Sequence, residues 1–260
     1  MTSPDPRALL DLACEAAYHG GVLLRERFEA GTEEASGAKS TPTDLVSEAD
    51  LASQSVIRAL IATRRPDDAF LGEERADVSG TSGLRWVVDP LDGTVNFLFG
   101  IPQWCVSVAV GDRESTLAGA IYDPVREETF AAVRGEPPVL NSATVRSSHA
   151  TELGQAMVAT GFAYDATVRA AQGEVLTRLI GRVRDIRRFG SAALDLAWTA
   201  AGRFDAYYER GVQPWDIAAG ALLCECAGLE VRELPAQGSL PSGLLAATPG
   251  VADQLHELVG

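Results

Sequence analysis

The chain is poor in the residues from which many reactive centres are built. Its 260 residues include three histidines and four cysteines. His19, His149 and His256 are scattered, and none stands at zinc-ligand spacing from a second ligand. Cys14, Cys105, Cys224 and Cys226 each lie in an apolar run, and Cys224 and Cys226 are too close to bridge within a regular helix. They read as reduced core thiols of a reducing compartment. There is no Gly-x-Ser-x-Gly elbow, Walker loop or Gly-x-Gly-x-x-Gly turn. Positive charge is scarce too: 22 Lys and Arg against 36 Asp and Glu leave a formal net charge of -14. Such a chain repels nucleic-acid phosphates and anionic lipid, so neither direct nucleic-acid binding nor membrane binding is expected. No apolar run approaches membrane-spanning length. The start, MTSPDPRALLDLACEAA, lacks the basic region and apolar core of a signal peptide. A soluble cytoplasmic protein is the expectation.

What is present is a core-forming chain with 46% hydrophobic residues and no repeats. Ser3-Pro4 resembles a helix start, and Leu9, Leu12, Ala13 and Ala16 follow at helical spacing toward a stop near Gly31. Residues 31–43 read as a polar loop, and a second helix is expected from about Ser47. Strand-like runs follow at 69–71, 85–88, 105–110, 117–122 and 129–133. Residues 134–144, with Pro137 and Pro138, read as a loop and as the boundary between subdomains 1–140 and 141–260. Beyond it, strands near 156–160, 185–188, 204–209 and 244–248 alternate with helices near 167–181, 191–201, 215–227 and 252–258. A strand meander followed by alternation predicts a mixed α/β (α+β) sandwich of helical and sheet layers.

The most informative stretch is Asp89-Pro90-Leu91-Asp92-Gly93-Thr94-Val95-Asn96-Phe97. An apolar strand delivers Asp89 to its carboxyl end, where Pro90 helps to end the strand and a turn brings Asp92 near. Gly93 permits an unusual backbone angle and close ligand approach, and Thr94 opens a helical turn. Two carboxylates so close need a counter-charge, and a hard cation such as magnesium takes oxygen ligands and bridges carboxylates to phosphate. Each acidic candidate also has a plainer reading. Asp89 would serve as a helix cap and Asp92 as a turn residue. Glu73 and Glu74 after the short strand would form a solvated turn. Asp216 after Trp215 would be an N-cap. Ser47 with Asp50 three residues on fits a capping box.

Taken in register, these segments resemble the inositol monophosphatase family. Residues 89–97 match its DPxDGTxNF signature, Gly72-Glu73-Glu74 its GEE motif, and Trp215-Asp216-Ile217-Ala218-Ala219-Gly220 its WDxAAG motif. Lys39 to Asp50, Phe189-Gly190-Ser191-Ala192-Ala193 and Asp205-Ala206-Tyr207-Tyr208-Glu209 are similar to further family segments, so nearly the whole chain is covered. The resemblance implies an αβαβα sandwich of the inositol monophosphatase and fructose-1,6-bisphosphatase type, commonly a homodimer, with lithium-sensitive, Mg2+-dependent phosphatase activity. It implies that Glu73, Asp89 and the Leu91 carbonyl hold one Mg2+ and that Asp89, Asp92 and Asp216 hold a second. Glu73 would also touch a third ion, and Mn2+ would be a substitute. It further implies that Thr94 and Asp50 orient the attacking water, that Gly93 and Thr94 bind phosphate, and that Gly190, Ala192, Glu209 and Asp92 face the polyol. The chain departs from the family where Arg134–Ser142 replaces a glycine-rich stretch ending in Asn-Gly. The expected substrate is myo-inositol 1-phosphate or a similar small polyol phosphate. Histidinol phosphate, fructose 1,6-bisphosphate and adenosine 3′,5′-bisphosphate are alternatives within the family. A regulatory module binding transcription machinery, through a surface near Arg182, Arg184, Arg187 and Arg188, is the alternative of another class.

Overall fold

The computed structural model describes residues 5–31, 35–38, 45–74 and 77–260. Helix α1 (Pro6–Ala30) is capped by the Asp5 carboxylate, which accepts from the Arg7 amide at 3.0 Å. Ser3 and Pro4, the expected start, lie outside the described residues; Pro6 fills the first turn instead. Gly31, at φ 67°, ends the helix by donating back to the carbonyls of Arg27 and Phe28. Strand β1 (Ala35–Ala38) pairs antiparallel with β2 (Leu45–Ser47), so part of the expected polar loop is a ribbon. Residues 39–44, the first half of the expected Lys39–Asp50 segment, lie outside the described residues. Helix α2 (Glu48–Arg64) follows with Ser47 as its N-cap.

A seven-stranded sheet comes next, in the spatial order β3 (Ala69–Gly72), β4 (Arg85–Asp92), β5 (Cys105–Gly111), β6 (Thr116–Asp123), β7 (Glu128–Val133), β8 (Val139–Leu140) and β9 (Ala143–Thr144). Only the β3–β4 pair is parallel. The short helix α3 (Thr94–Leu98) joins β4 to β5. The segment 134–144, expected to be a loop, contains the β8–β9 hairpin. Two positive-φ residues, Asn141 and Ser142, make its two-residue turn.

The second sheet has five strands. Their spatial order is β11 (Asp185–Arg187), β10 (Met157–Thr160), β12 (Ala206–Arg210), β14 (Gly243–Ala247) and β13 (Glu230–Leu234). Its helices are α4 (Ala166–Leu179), α5 (Ala192–Ala200), α6 (Pro214–Cys226) and α7 (Pro249–Val259). Strand β13 went unread because Glu-Val-Arg-Glu-Leu has few apolar residues, as suits a half-buried sheet edge.

Side-chain alternation sorts the layers. On β5, Val106, Val108 and Val110 pack with α1 and α2, while Cys105 and Ala109 face α5 and α6. On β12, Tyr207 faces α5 and α6, while Ala206 and Tyr208 face the core shared with α4 and α7. The result is an αβαβα sandwich, with α5 and α6 as the middle layer between the two sheets. Among the described residues no helix is long and apolar enough to cross a membrane.

Candidate active site

The Asp89–Asp92 run on β4 works through a backbone irregularity. Residues three apart on a regular strand point to opposite faces. Here Asp89 pairs with Ser107 and Asp92 with Cys105, so three residues of β4 span two of β5. This bulge returns Asp92 to the face that carries Asp89, toward the middle layer. The strand was expected to end at Pro90, yet it runs through to Asp92. Pro90 is tolerated because β3 pairs with β4 only as far as Val88, leaving no partner for the missing amide. The Asp89 carboxylate accepts from the Leu91 amide at 3.0 Å, and Ser53 of α2 donates to the Pro90 carbonyl at 2.8 Å.

Gly93 then turns the chain at φ 94°, and a Cβ there would stand 2.9 Å from the Gln103 carbonyl oxygen. No other residue meets both constraints. The Thr94 hydroxyl lies 2.9 Å from Asp50 Oδ1 and 3.0 Å from the Leu91 carbonyl. Its single proton goes to one of them, and the charged carboxylate is the stronger acceptor. Asp50 Oδ2 meanwhile accepts from the Ser47 amide at 2.8 Å and the Ser47 hydroxyl at 2.6 Å. The capping-box and Thr94-orienting readings of Asp50 therefore do not compete, because each uses a different oxygen.

The other acidic residues arrive from separate elements. Glu73 follows β3, and its amide donates to Val88 O at 3.3 Å. Gln54 of α2 steadies that loop by accepting from the Glu74 amide at 2.9 Å. Asp216 lies in the first turn of α6, where its Oδ2 accepts from the Gln213 amide at 2.6 Å. Glu209 shares a strand face with Tyr207, whose hydroxyl donates to Glu209 Oε2 at 3.1 Å. Gly161 leaves the room that this carboxyl occupies.

These elements enclose one cleft of about 290 Å3. Its walls bring together Glu73, Asp89, Leu91, Asp92, Gly93, Thr94, Gly190, Ala192, Glu209 and Asp216. Of the sequence-derived site residues, only Asp50 stands behind the wall, reaching it through Thr94. The cleft also includes residues the sequence reading passed over, namely 162–165, Arg188 and 210–213. From sequence, Arg188 is expected only as part of an outer basic surface. Nothing in its local sequence distinguishes it from Arg187. Arg210 is structural, since its guanidinium donates to the carbonyls of Pro235, Pro241 and Val259.

Electrostatics in the cleft are strained. Burial, opposed by hydrogen bonds from Ser191 and Ala193 and reinforced by Glu73, raises Asp92 to about 6. Burial raises Glu209 to about 7, against the help of Tyr207 and Arg188. Burial and then Asp92 push Asp216 well above the usual carboxylate range. Among the described residues, no group of three or more Asp, Glu, His or Cys is gathered at metal-holding distance as the side chains stand. Asp92 and Asp216 each commit an oxygen to a hydrogen bond with the protein. The donor set is nonetheless all oxygen, in carboxylates, a carbonyl and a hydroxyl, which suits a hard divalent cation.

Comparison with known proteins bears on the same residues. The sequence profile of the inositol monophosphatase family matches residues 5–259. The chain belongs to the inositol monophosphatase family. The inositol-1-monophosphatase SuhB of Mycobacterium tuberculosis is 41% identical over 275 residues, covering 98% of this chain and 95% of that protein. A Pasteurella multocida relative called Nus factor SuhB is 39% identical, covering 95% of this chain and 94% of its own. The crystal structure of the extragenic suppressor protein suhB of Bartonella henselae superposes with a TM-score of 0.89 at 33% identity, over 97% of this chain and 98% of that one. This is a family of phosphatases, and the αβαβα architecture expected from sequence is the family's fold.

Proposed function

We propose that this chain is a magnesium-dependent phosphomonoesterase acting on a small polyol phosphate, with myo-inositol 1-phosphate the first candidate. The observation that carries this reading is the meeting of Glu73, Asp89, Asp92 and Asp216, drawn from three separate stretches of chain, around one cleft that also holds Leu91 and Thr94. An acidic wall repels a phosphate monoester unless cations stand between them. Glu73, Asp89 and the Leu91 carbonyl would hold one magnesium, and Asp89, Asp92 and Asp216 another, with manganese as substitute and Glu73 touching a third, water-rich ion. Such ions, when bound, supply an acidified water and a counter-charge for the phosphoryl and leaving oxygens.

The chain's own groups do the positioning. Asp50 holds the Thr94 proton, so the Thr94 oxygen offers lone pairs to an attacking water. Water then attacks phosphorus directly, with no phosphoenzyme. Amides at the Gly93–Thr94 turn face the phosphate. Glu209 offers an acceptor to a ring hydroxyl, beside Gly190 and Ala192, and Asp92 meets a second hydroxyl. The homodimer common in the family is the expected assembly.

The test is phosphate release from myo-inositol 1-phosphate with magnesium present, by wild type and by Asp89→Asn. The variant should remain folded and lose orders of magnitude in turnover. Hydrolysis near the wild-type rate would reject the assignment. A panel with histidinol phosphate, fructose 1,6-bisphosphate and adenosine 3′,5′-bisphosphate ranks the substrates. Histidinol phosphate deserves its place because an ionised Glu209 would pair with its amine. A second reading is favoured by the name Nus factor borne by three of the relatives: a role in transcription machinery through protein contacts. Failure of the chain to retain any transcription factor in a pull-down would exclude it.

A further inference from the structure

We propose that Ser191 is a positioning residue for Asp92, holding one carboxylate oxygen so that the other faces the cleft. This rests on the reading of Asp92 as a cation and substrate ligand. Asp92 Oδ2 accepts from the Ser191 hydroxyl at 2.6 Å and from the Ala193 amide at 2.8 Å. The Cys105 sulfur lies 3.8 Å from the same oxygen and 3.7 Å from Ser191 Oγ. The donors therefore converge on a single atom. Two of them come from the start of α5, about a hundred residues along the chain from Asp92. Two donors from different directions fix the plane of a carboxylate as well as its position.

The plainer role for Ser191 is to cap α5, and the distances decide against it as the main one. The capping bond, from the Leu194 amide to Ser191 Oγ, is 3.4 Å long, whereas the bond to Asp92 is 2.6 Å. Ser191 is 1% exposed and does not line the cleft, so it acts only through Asp92. The placement also means that a carboxylate at the end of β4 in the first sheet is aimed by a helix of the middle layer. The site is complete only when both halves of the chain are packed.

Glycine is a tolerated N-cap, worse than serine by only a few tenths of a kcal/mol. Ser191→Gly thus removes the hydroxyl and largely keeps the helix start, and Ser191→Thr restores the hydroxyl. Mn2+ binding is followed by calorimetry, beside the metal dependence of phosphate release. Ser191→Gly should bind Mn2+ about 10- to 100-fold more weakly, as loss of a group that orients a ligand does. Saturating Mn2+ should recover much of kcat, and Ser191→Thr should behave like wild type. Wild-type Mn2+ affinity in a folded Ser191→Gly would overturn the proposal. If the glycine variant does not fold, Ser191→Thr and Ser191→Val are compared, since they have the same shape and differ in the hydroxyl. Equal Mn2+ affinity in that pair would overturn it equally. A wild-type protein that neither binds Mn2+ nor releases phosphate would bring down the proposed function and this inference with it.

Discussion

Glu209→Gln should make the metal-free protein more stable, by an amount that grows from about pH 4.5 and is full above about pH 7. The carboxyl lies against Tyr207 and Gly161 in the cleft wall, and burial lifts it from an ordinary 4.5 to about 7. Between those values the folded protein holds a proton that the unfolded chain has released. Stability therefore falls as pH rises through that window. The loss is absent below about pH 4.5 and complete above about pH 7. The gap corresponds to about 3 kcal/mol. That figure is a ceiling, because the cleft lets some solvent reach the group. Glutamine has the same shape, can accept from the Tyr207 hydroxyl, and carries no charge to bury. For a chain of this size each kcal/mol moves Tm by about 2–4 °C, so the variant should melt about 5–10 °C higher at pH 8. The assay is a thermal melt of both proteins in EDTA at pH 8 and at pH 5. The gain should shrink steeply at the lower pH. An unchanged or lower Tm at pH 8, or a gain that is the same at both pH values, would refute the reasoning. If Glu209 is the proposed acceptor for a ring hydroxyl, the same variant should also bind a polyol phosphate less well.

Two further substitutions probe the frame around the site. Gly93→Ala forces a side chain into φ 94° and against the Gln103 carbonyl. The backbone conformation alone should cost about 1–2 kcal/mol, read as a lowered Tm, and turnover should fall further because the turn proposed to bind phosphate moves. Asn96→Ala removes an amide that donates to Gln103 O and Phe189 O, both at 2.8 Å, and to Gly190 O at 3.3 Å. Stranding those carbonyls should cost about 1–3 kcal/mol. KM should rise more than kcat falls, because the freed loop carries Gly190, which lines the cleft and is proposed to face the substrate; an unchanged KM would show the loop needs no such tie.

The fold was legible where local chemistry punctuates the chain. Gly31 and Ser47 marked helix ends because a left-handed stop and a capping side chain are properties of single residues. The apolar strands 105–111 and 116–123 were legible because both their faces are buried. What stayed hidden depends on partners. The hairpin β8–β9 lies in a proline-containing segment, and only pairing with β7 makes it part of a sheet. β13 is held at an edge by β14, with little apolar content of its own.

The site divides the same way. Spacing alone set Asp89 and Asp92 three residues apart, which on a regular strand would point them away from each other. What unites them is a bulge, and its register belongs to β5 as much as to β4. Asp50 shows the opposite limit. Its sequence context suggested two exclusive roles, yet a carboxylate has two oxygens and the fold gives one to Ser47 and the other to Thr94. Ser191 was legible as a helix start and as part of a family segment, but its tie to Asp92 was not, because that short bond crosses from α5 to a residue of the first sheet. In this chain, then, residue type locates the acidic groups, while their usefulness comes from second partners that lie far away in sequence. Substitutions at those partners, rather than at the carboxylates themselves, are where a folded protein with a disabled site should be found.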